Sequence, residues 1–272
     1  MNSELLAAIE LYYDAVPRSA ARAEDLSPFV LFVQRGDGWP YYARPHLGAD
    51  ELTVADVRRV RARQCALGIP EAFEWVAETT PALRAAATAA GLVVTDHPLM
   101  ALADTRMPPP DARSDVTIRL VTPEDDLALL GAIARISFSF PGTARGEAGP
   151  EDVARVAGER GAQGDSILRD RLAKGLTVMA VARADGVPVA VGSHQPVDAV
   201  TEIVGVGTLP AFRRRGIGAA LTAFLAHDAL ERGVSTIFLS AGDERIARVY
   251  ERVGFRRIGT ACIAEPPRPD RS

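Results

Sequence analysis

From residue 116 onward the chain switches between two hydrophobic periods. Val116-Thr-Ile-Arg-Leu-Val121 puts apolar residues at every second position, the repeat of a half-buried strand. Asp125 to Ile136, opened by Thr122-Pro-Glu, has the spacing and start signal of a helix. Leu176 to Ala184 predicts a strand, Asp185-Gly186 a hairpin turn, and Val187 to Val191 the start of the next strand. Then follow Glu202 to Leu209 (strand), Ile217 to Glu231 (helix), Thr236 to Ala241 (strand), Glu244 to Val253 (helix) and Arg256 to Ala264 (strand). Pro141 to Gly164, rich in Gly, Glu and Ala, predicts a mobile loop, with a further helix near Asp165 to Leu172. This order predicts an α/β fold, a mixed sheet with helices on its faces.

Met107-Pro-Pro-Pro-Asp-Ala-Arg-Ser-Asp115 interrupts the pattern, because three prolines can continue neither a ladder nor a helix interior. It predicts a linker (107–115) between a first domain, 1–106, and a second, 116–265, with a flexible polar tail over 266–272. The first half holds a weak echo of the second at an offset of 163 residues. Glu74-Trp75-Val76-Ala77 falls on Ile237 to Ser240, Gly91-Leu92 on Gly254-Phe255, and the helix-like Val54 to Leu67 on Ile217 to Leu230. A duplicated domain and a chance likeness of two α/β units both account for this.

Composition narrows the classes. In 272 residues, 47% hydrophobic and 24% charged positions describe an ordinary globular chain. A net charge of −4 argues against general nucleic-acid binding. No apolar run is long enough to span a membrane, and Met1 to Asp14, with Glu4 and Glu10, lacks the basic start of a signal peptide. Cys65 and Cys262 stand far apart and read as free thiols of a reduced, cytoplasmic protein. Four scattered histidines (His46, His97, His194, His227) and no cysteine pair argue against a metal site. Each histidine reads as structural, and Ser193 beside His194 points to the opposite face of an extended chain.

Against this acidic background stands Arg213-Arg214-Arg215-Gly216-Ile217-Gly218-Ala219, between a strand and a helix start. The first N–H groups of a helix lack intrahelical acceptors and carry the positive end of the dipole. Gly216 and Gly218 remove Cβ atoms that would hold an anion off the backbone, and the arginines add donors. Strand, arginine- and glycine-bearing turn and helix together suit a phosphate group. The plain alternative is a tight turn with a solvated basic triplet. The spacing is neither a Walker loop nor a dinucleotide fingerprint.

Arg213, Gly216 and Gly218 fit the pattern Gln/Arg-x-x-Gly-x-Gly/Ala, and about thirty residues on stands Ile246-Ala-Arg-Val-Tyr-Glu-Arg-Val-Gly-Phe255, beyond the strand Thr236 to Ala241. This arrangement over 116–265 resembles the GNAT superfamily of acetyl-CoA-dependent N-acetyltransferases. The resemblance implies a mixed twisted sheet flanked by helices, with the smaller α/β N-terminal domain either a degenerate second copy or an accessory domain. At the offset from the basic heptad stands Asp50-Glu51-Leu52-Thr53-Val54-Ala55-Asp56, without Gly or Arg, so that copy would have no phosphate cradle.

The resemblance also implies roles. Arg213 to Ala219 would hold the pyrophosphate of coenzyme A. Val206, Gly207 and Thr208 would pair their backbone with the pantetheine arm where two strands splay, Gly205 and Gly207 allowing the approach, unless these glycines merely form a bulge. Backbone N–H groups of the fourth strand would polarise the thioester carbonyl. Tyr250 would protonate the departing thiolate, although the apolar spacing of Ile246, Val249 and Val253 equally suits a core tyrosine. Glu202 shares the expected strand face with Val204, Val206 and Thr208, and stands eleven residues before Arg213, the spacing of the general base in histone-acetylating members. Solvated strand-end Glu202 is the other reading. Asp243 replaces an asparagine that contacts the cofactor in many members, which puts that contact in doubt.

The implied activity is direct attack of a primary amine, of a small molecule, on acetyl-CoA, with no metal and with neither nucleic acid nor membrane as partner. The first domain would shape the acceptor site or a homodimer interface. A non-catalytic acyl-CoA sensor and a protein-modifying acetyltransferase remain the alternatives. The acceptor's identity lies in the loops around Phe138 to Gly164, which motifs do not encode.

Overall fold

The computed structural model describes residues 2–35, 41–105, 115–140, 142–158 and 163–267. Most of the expected linker and tail lies outside them. In chain order the elements are α1 (Asn2–Ala15), β1 (Ala21–Leu26), β2 (Phe29–Gln34), β3 (Ala43–Pro45), α2 (Val54–Ala66), β4 (Phe73–Val76), α3 (Ala82–Ala89) and β5 (Val93–Leu102). There follow β6 (Val116–Leu120), α4 (Leu127–Ser139), α5 (Pro150–Gly158), α6 (Gln163–Ala173), β7 (Val178–Ala184), β8 (Val187–Val197), β9 (Val200–Thr208), α7 (Ile217–Glu231), β10 (Thr236–Ser240), α8 (Glu244–Glu251) and β11 (Phe255–Glu265).

The chain forms two compact units, Met1–Leu99 with Ile258–Ser272, and Met100–Arg257. The sequence division, 1–106 against 116–265, is corrected at its C-terminal end. The last strand packs with the first unit, where Ala261↔Val76 to Ala264↔Phe73 pair it antiparallel to β4. That unit's strands run in the order β1-β2-β3-β4-β11-β5. Its core joins Phe29, Leu31, Phe73 and Trp75 of the strands to Val57 and Val60 of α2 and Leu83 of α3. Cys262 is buried there beside Arg84 and Asp96, and burial pushes its thiol up to about 12, so it is inert at neutral pH.

The second unit orders its strands β10-β9-β8-β7-β6. β6 to β9 are antiparallel neighbours, and β9 and β10 are parallel. Leu130, Ile133 and Ile136 of α4 and Leu221 and Leu225 of α7 are buried in one core with the sheet. Each such side chain contributes roughly 1.5–3 kcal/mol by leaving water. The helix α5 corrects the loop expected over 141–164. Pro150 followed by Glu151 and Asp152 is a helix start, with proline where no amide bond is lost and carboxylates at the positive dipole end.

Among the described residues no helix is long and apolar enough to cross a membrane. None of their His, Cys, Asp and Glu side chains gather in a group that could hold a metal ion.

One close approach fixes how α4 meets the sheet. A Cβ on Gly207 would stand 2.8 Å from Ser137 Cβ. Gly207 is thus required by the packing of the helix on this face of the strand. Gly207→Ala is expected to cost about 1–3 kcal/mol by overpacking, read as a lower denaturant midpoint with an unchanged slope. Adding Ser137→Gly to that variant should recover part of the loss.

Candidate active site

β9 and β10 begin side by side and then part. Their ladder runs Val200↔Thr236, Thr201↔Ile237 and Glu202↔Phe238 and ends there, although β9 continues to Thr208 and β10 to Ser240. On its other side β9 stays paired with β8 up to Ala190↔Thr208. Residues 203–208 therefore present one backbone edge with no strand beside it among the described residues. The splay expected from the family pattern is present, and Glu202 sits on its last closed rung.

A bulge lies just beyond. Val191 opposes Gly207 and Ser193 opposes Val204, which sets Gly192 against both Gly205 and Val206. Gly205 takes a left-handed φ of 65°, which glycine adopts without penalty. One extra residue exchanges the faces of everything after it. Before the bulge, Thr201 Oγ1 lies 3.1 Å from His194 Nδ1, and His194 Nε2 lies 3.0 Å from Asp228 Oδ2 on α7. Thr201 therefore faces α7, and Glu202 faces the α4 side. After the bulge, Thr208 Oγ1 is 3.6 Å from where a Gly218 Cβ would stand, so Thr208 faces α7, and Gly207 faces Ser137 of α4. The expectation that Glu202 shares a face with Val206 and Thr208 is thus corrected. Its companion across the bulge is Gly207.

The buried His194 is structural, as expected, and Ser193 pairs on the opposite face. Burial opposes ionisation of Asp228, but hydrogen bonds from His194 and Arg232 outweigh it and hold its carboxyl below the usual range. The network ties α7 to β8 and β9.

α7 begins without a side-chain cap. Its N-cap, Gly216, has φ 76° and ψ 3°. The N–H groups of Gly216, Ile217, Gly218 and Ala219 have no acceptor among the described residues, the first helical bond being Ala220 N–H to Gly216 O at 3.0 Å. Arg214 is also left-handed, at φ 60°, which costs a non-glycine residue roughly 1–3 kcal/mol and marks a turn held against its preference. The corresponding start of α2 differs. Thr53 Oγ1 accepts from Asp56 N–H at 3.2 Å, and Asp56 Oδ2 accepts from Thr53 N–H at 3.0 Å, a closed capping box. One helix start carries its own carboxylate, and the other is left open to an anion.

The three arginines do different work. Arg214 is exposed. Arg215 lies 5.3 Å over the Phe212 ring and 3.5 Å from Asp115. Arg213 turns away from the amides. Its guanidinium donates to the carbonyls of Ser137 (2.7 Å), Phe140 (2.7 Å), Ala144 (3.2 Å) and Thr208 (3.2 Å). The expectation of a phosphate contact from this side chain is corrected. It closes the C-terminal end of α4, where a cation suits the dipole.

Asp243 is likewise occupied. Its Oδ1 accepts from the N–H groups of Arg245 and Ile246, both at 2.8 Å, as the N-cap of α8. Seven residues on, the Tyr250 ring stands 6.2 Å from that of Phe255 in the core of the unit. Burial pushes its phenol up to about 12. Its hydroxyl has no hydrogen-bond partner among the described residues, so it is a protonated, unengaged donor.

Residues 151–255 match the acetyltransferase (GNAT) family model. This segment is a GNAT-family acetyltransferase domain. A GCN5-related N-acetyltransferase from Kribbella flavida shares the fold at a TM-score of 0.70 and 24% identity, covering 97% of this chain and 96% of that one. A functionally unknown conserved protein from Staphylococcus epidermidis follows at 0.56 and 16%, covering 90% and 93%. A GCN5-related N-acetyltransferase from Sphaerobacter thermophilus follows at 0.51 and 24%, covering 73% and 61%. No curated protein matches the chain.

Within the GNAT domain the structure joins the open edge of β9 to the open start of α7 through the turn 209–216. Sequence reasoning pointed to the loops from Phe138 onward for the acceptor, but missed Ser137 and the contacts that hold 142–148 in place. Gly146 N–H donates to Pro210 O at 3.2 Å and Ala211 N–H to Ala148 O at 3.1 Å, which holds that stretch against the turn. Gly218→Glu is expected to weaken coenzyme A binding more than tenfold, a loss above about 1.4 kcal/mol. The mutant should still fold, because there is room beside Thr208 and glutamate suits a helix start. Titration calorimetry on the folded variant checks this.

Proposed function

We propose that this protein is an acetyl-CoA-dependent N-acetyltransferase that acetylates a primary amine of a small molecule. The observation that carries the reading is the continuity of two backbone surfaces that no strand or capping side chain covers, with only the Thr208 carbonyl taken up, by Arg213. The amides at the start of α7 suit a pyrophosphate, and the free edge of β9 at Val206, Gly207 and Thr208 suits the amides of a pantetheine arm. Acetyl-CoA supplies the thioester. Arg214 is the basic side chain placed to add charge at the cradle. The side chains of Arg213 and Asp243 have other partners, so we assign their positions a backbone part at most.

Glu202 would take the proton that the acceptor amine loses as its nitrogen attacks the carbonyl carbon. Its place at the last rung of the splay supports this. Tyr250 would give its proton to sulfur as the carbon–sulfur bond breaks. A phenol that titrates near 12 keeps that proton at every working pH. Holding both partners in one cleft supplies much of the rate.

The first unit reads best as a second copy that has lost its cradle. In both units an antiparallel pair (β2–β3, β8–β9) leads into a parallel one (β3–β4, β9–β10). α2, β4, α3 and β5 then repeat the order of α7, β10, α8 and β11.

Two substitutions test the chemistry at saturating acetyl-CoA. Tyr250→Phe keeps the ring in its apolar setting and should leave acetyl-CoA affinity nearly unchanged while turnover falls by roughly 10²–10⁴. Glu202→Gln should lose rate near neutral pH and recover as pH rises, since the amine is then already deprotonated. Normal turnover in either variant would remove that residue from the mechanism. Tight acetyl-CoA binding with no turnover of any amine would instead identify a non-catalytic acyl-CoA sensor.

A further inference from the structure

The end of α4 keeps two aromatic rings in water. Phe138 is 59% exposed and Phe140 48%. Exposed rings are ordinary on a loose loop, but this turn is not loose. Arg213 bonds the carbonyls of Ser137, Phe140 and Ala144, and backbone bonds from Gly146 and to Ala148 hold the next residues. The turn is thus fixed with its rings outward, where adjacent exposed apolar side chains mark a contact for a ligand or partner.

The position of the turn indicates which. The Phe138 ring reaches to 3.7 Å from where a Gly207 Cβ would stand. Gly207 lies on the same face of β9 as Glu202. Beside the ring, Ser137 is only 4% exposed, and its Oγ has no hydrogen-bond partner among the described residues. A buried hydroxyl left without a partner is costly, and it gives this corner an unused polar group next to its apolar surface. The Phe138 ring and the unused hydroxyl thus stand over Gly207 on the strand face that Glu202 shares, the side away from α7, and Phe140 is exposed two residues further along the same turn.

We propose that Phe138 and Phe140 form the acceptor subsite, and that the acceptor is a primary amine carrying an apolar body of ring size or larger, packed on these rings while its nitrogen reaches towards Glu202. This rests on the acetyltransferase reading above and adds the substrate class. The fixed turn makes the apolar wall available before the acceptor arrives, so little ordering cost opposes binding.

The test compares 2-phenylethylamine with ethanolamine, using the full chain and saturating acetyl-CoA. The wild type should favour 2-phenylethylamine by at least about tenfold in kcat/KM, on the order of 1.4 kcal/mol. Phe138→Ala should remove most of that preference through the KM of the aromatic amine, with a much smaller change in kcat/KM for ethanolamine. Phe140→Ala provides an independent arm. Turnover of both amines without preference, or a preference untouched by both substitutions, overturns this inference and leaves the acetyltransferase reading standing. Altered selectivity between acetyl-CoA and longer acyl-CoA thioesters would assign the rings to the acyl chain and likewise overturn it. So would dissociation of a dimer by Phe138→Ala in sedimentation. Failure of the wild type to acetylate either amine, or any other tried, contradicts the acetyltransferase reading itself.

Discussion

The site depends on one parting of strands. β9 leaves β10 after the Glu202–Phe238 rung, and the left-handed Gly205 lets it do so without losing β8. A bulge of this kind increases local twist and turns a strand away from its neighbour. Three features follow from it. A length of backbone edge is left for a ligand to pair with. Glu202 is separated by face from Thr208, which meets α7. And Gly207 comes under Ser137, which brings the end of α4, with its aromatic turn, onto the same side as Glu202.

The two units show how little sequence separates an anion site from a closed helix start. Both α2 and α7 follow a strand through an irregular connection and begin with four amides that need acceptors. In α2 the Thr53 and Asp56 side chains supply acceptors to two amides, those of Asp56 and Thr53, and the carboxylate of Asp56 is held below its usual range, chiefly by the Thr53 hydroxyl. In α7 a glycine cap supplies nothing, which leaves the amides for a ligand. A capping side chain typically contributes ~1 kcal/mol to helix stability. The second unit forgoes that stabilisation at the helix start where binding is proposed.

Much of this was legible in the residues, and for identifiable reasons. Ile217 to Glu231 was read to the residue because Gly216 and Arg232 bound a continuous apolar run. The glycine-bearing turn and the strand before it were legible because their chemistry is local. The helix α5 was hidden by Gly149 before it and Gly158 at its end, although Pro150-Glu151-Asp152 signalled its start. The exchange of faces after Gly205 was hidden because alternation assumes no bulge. The engagement of Arg213 could not be read at all, since its acceptors are backbone carbonyls, three of them about seventy residues away in the chain. The His194–Asp228 contact was hidden for the same reason: it joins a strand to a helix that only the fold brings together.

The central claim is that one open helix start and one open strand edge, both in the GNAT domain, make a single acyl-CoA site. Calorimetric titration of the full chain with acetyl-CoA tests it most directly. The account expects one equivalent bound per chain, with an affinity that falls as salt rises, because phosphates bound by amides and Arg214 are screened. Two equivalents per chain would give the first unit a cradle after all, and no binding would contradict the claim outright.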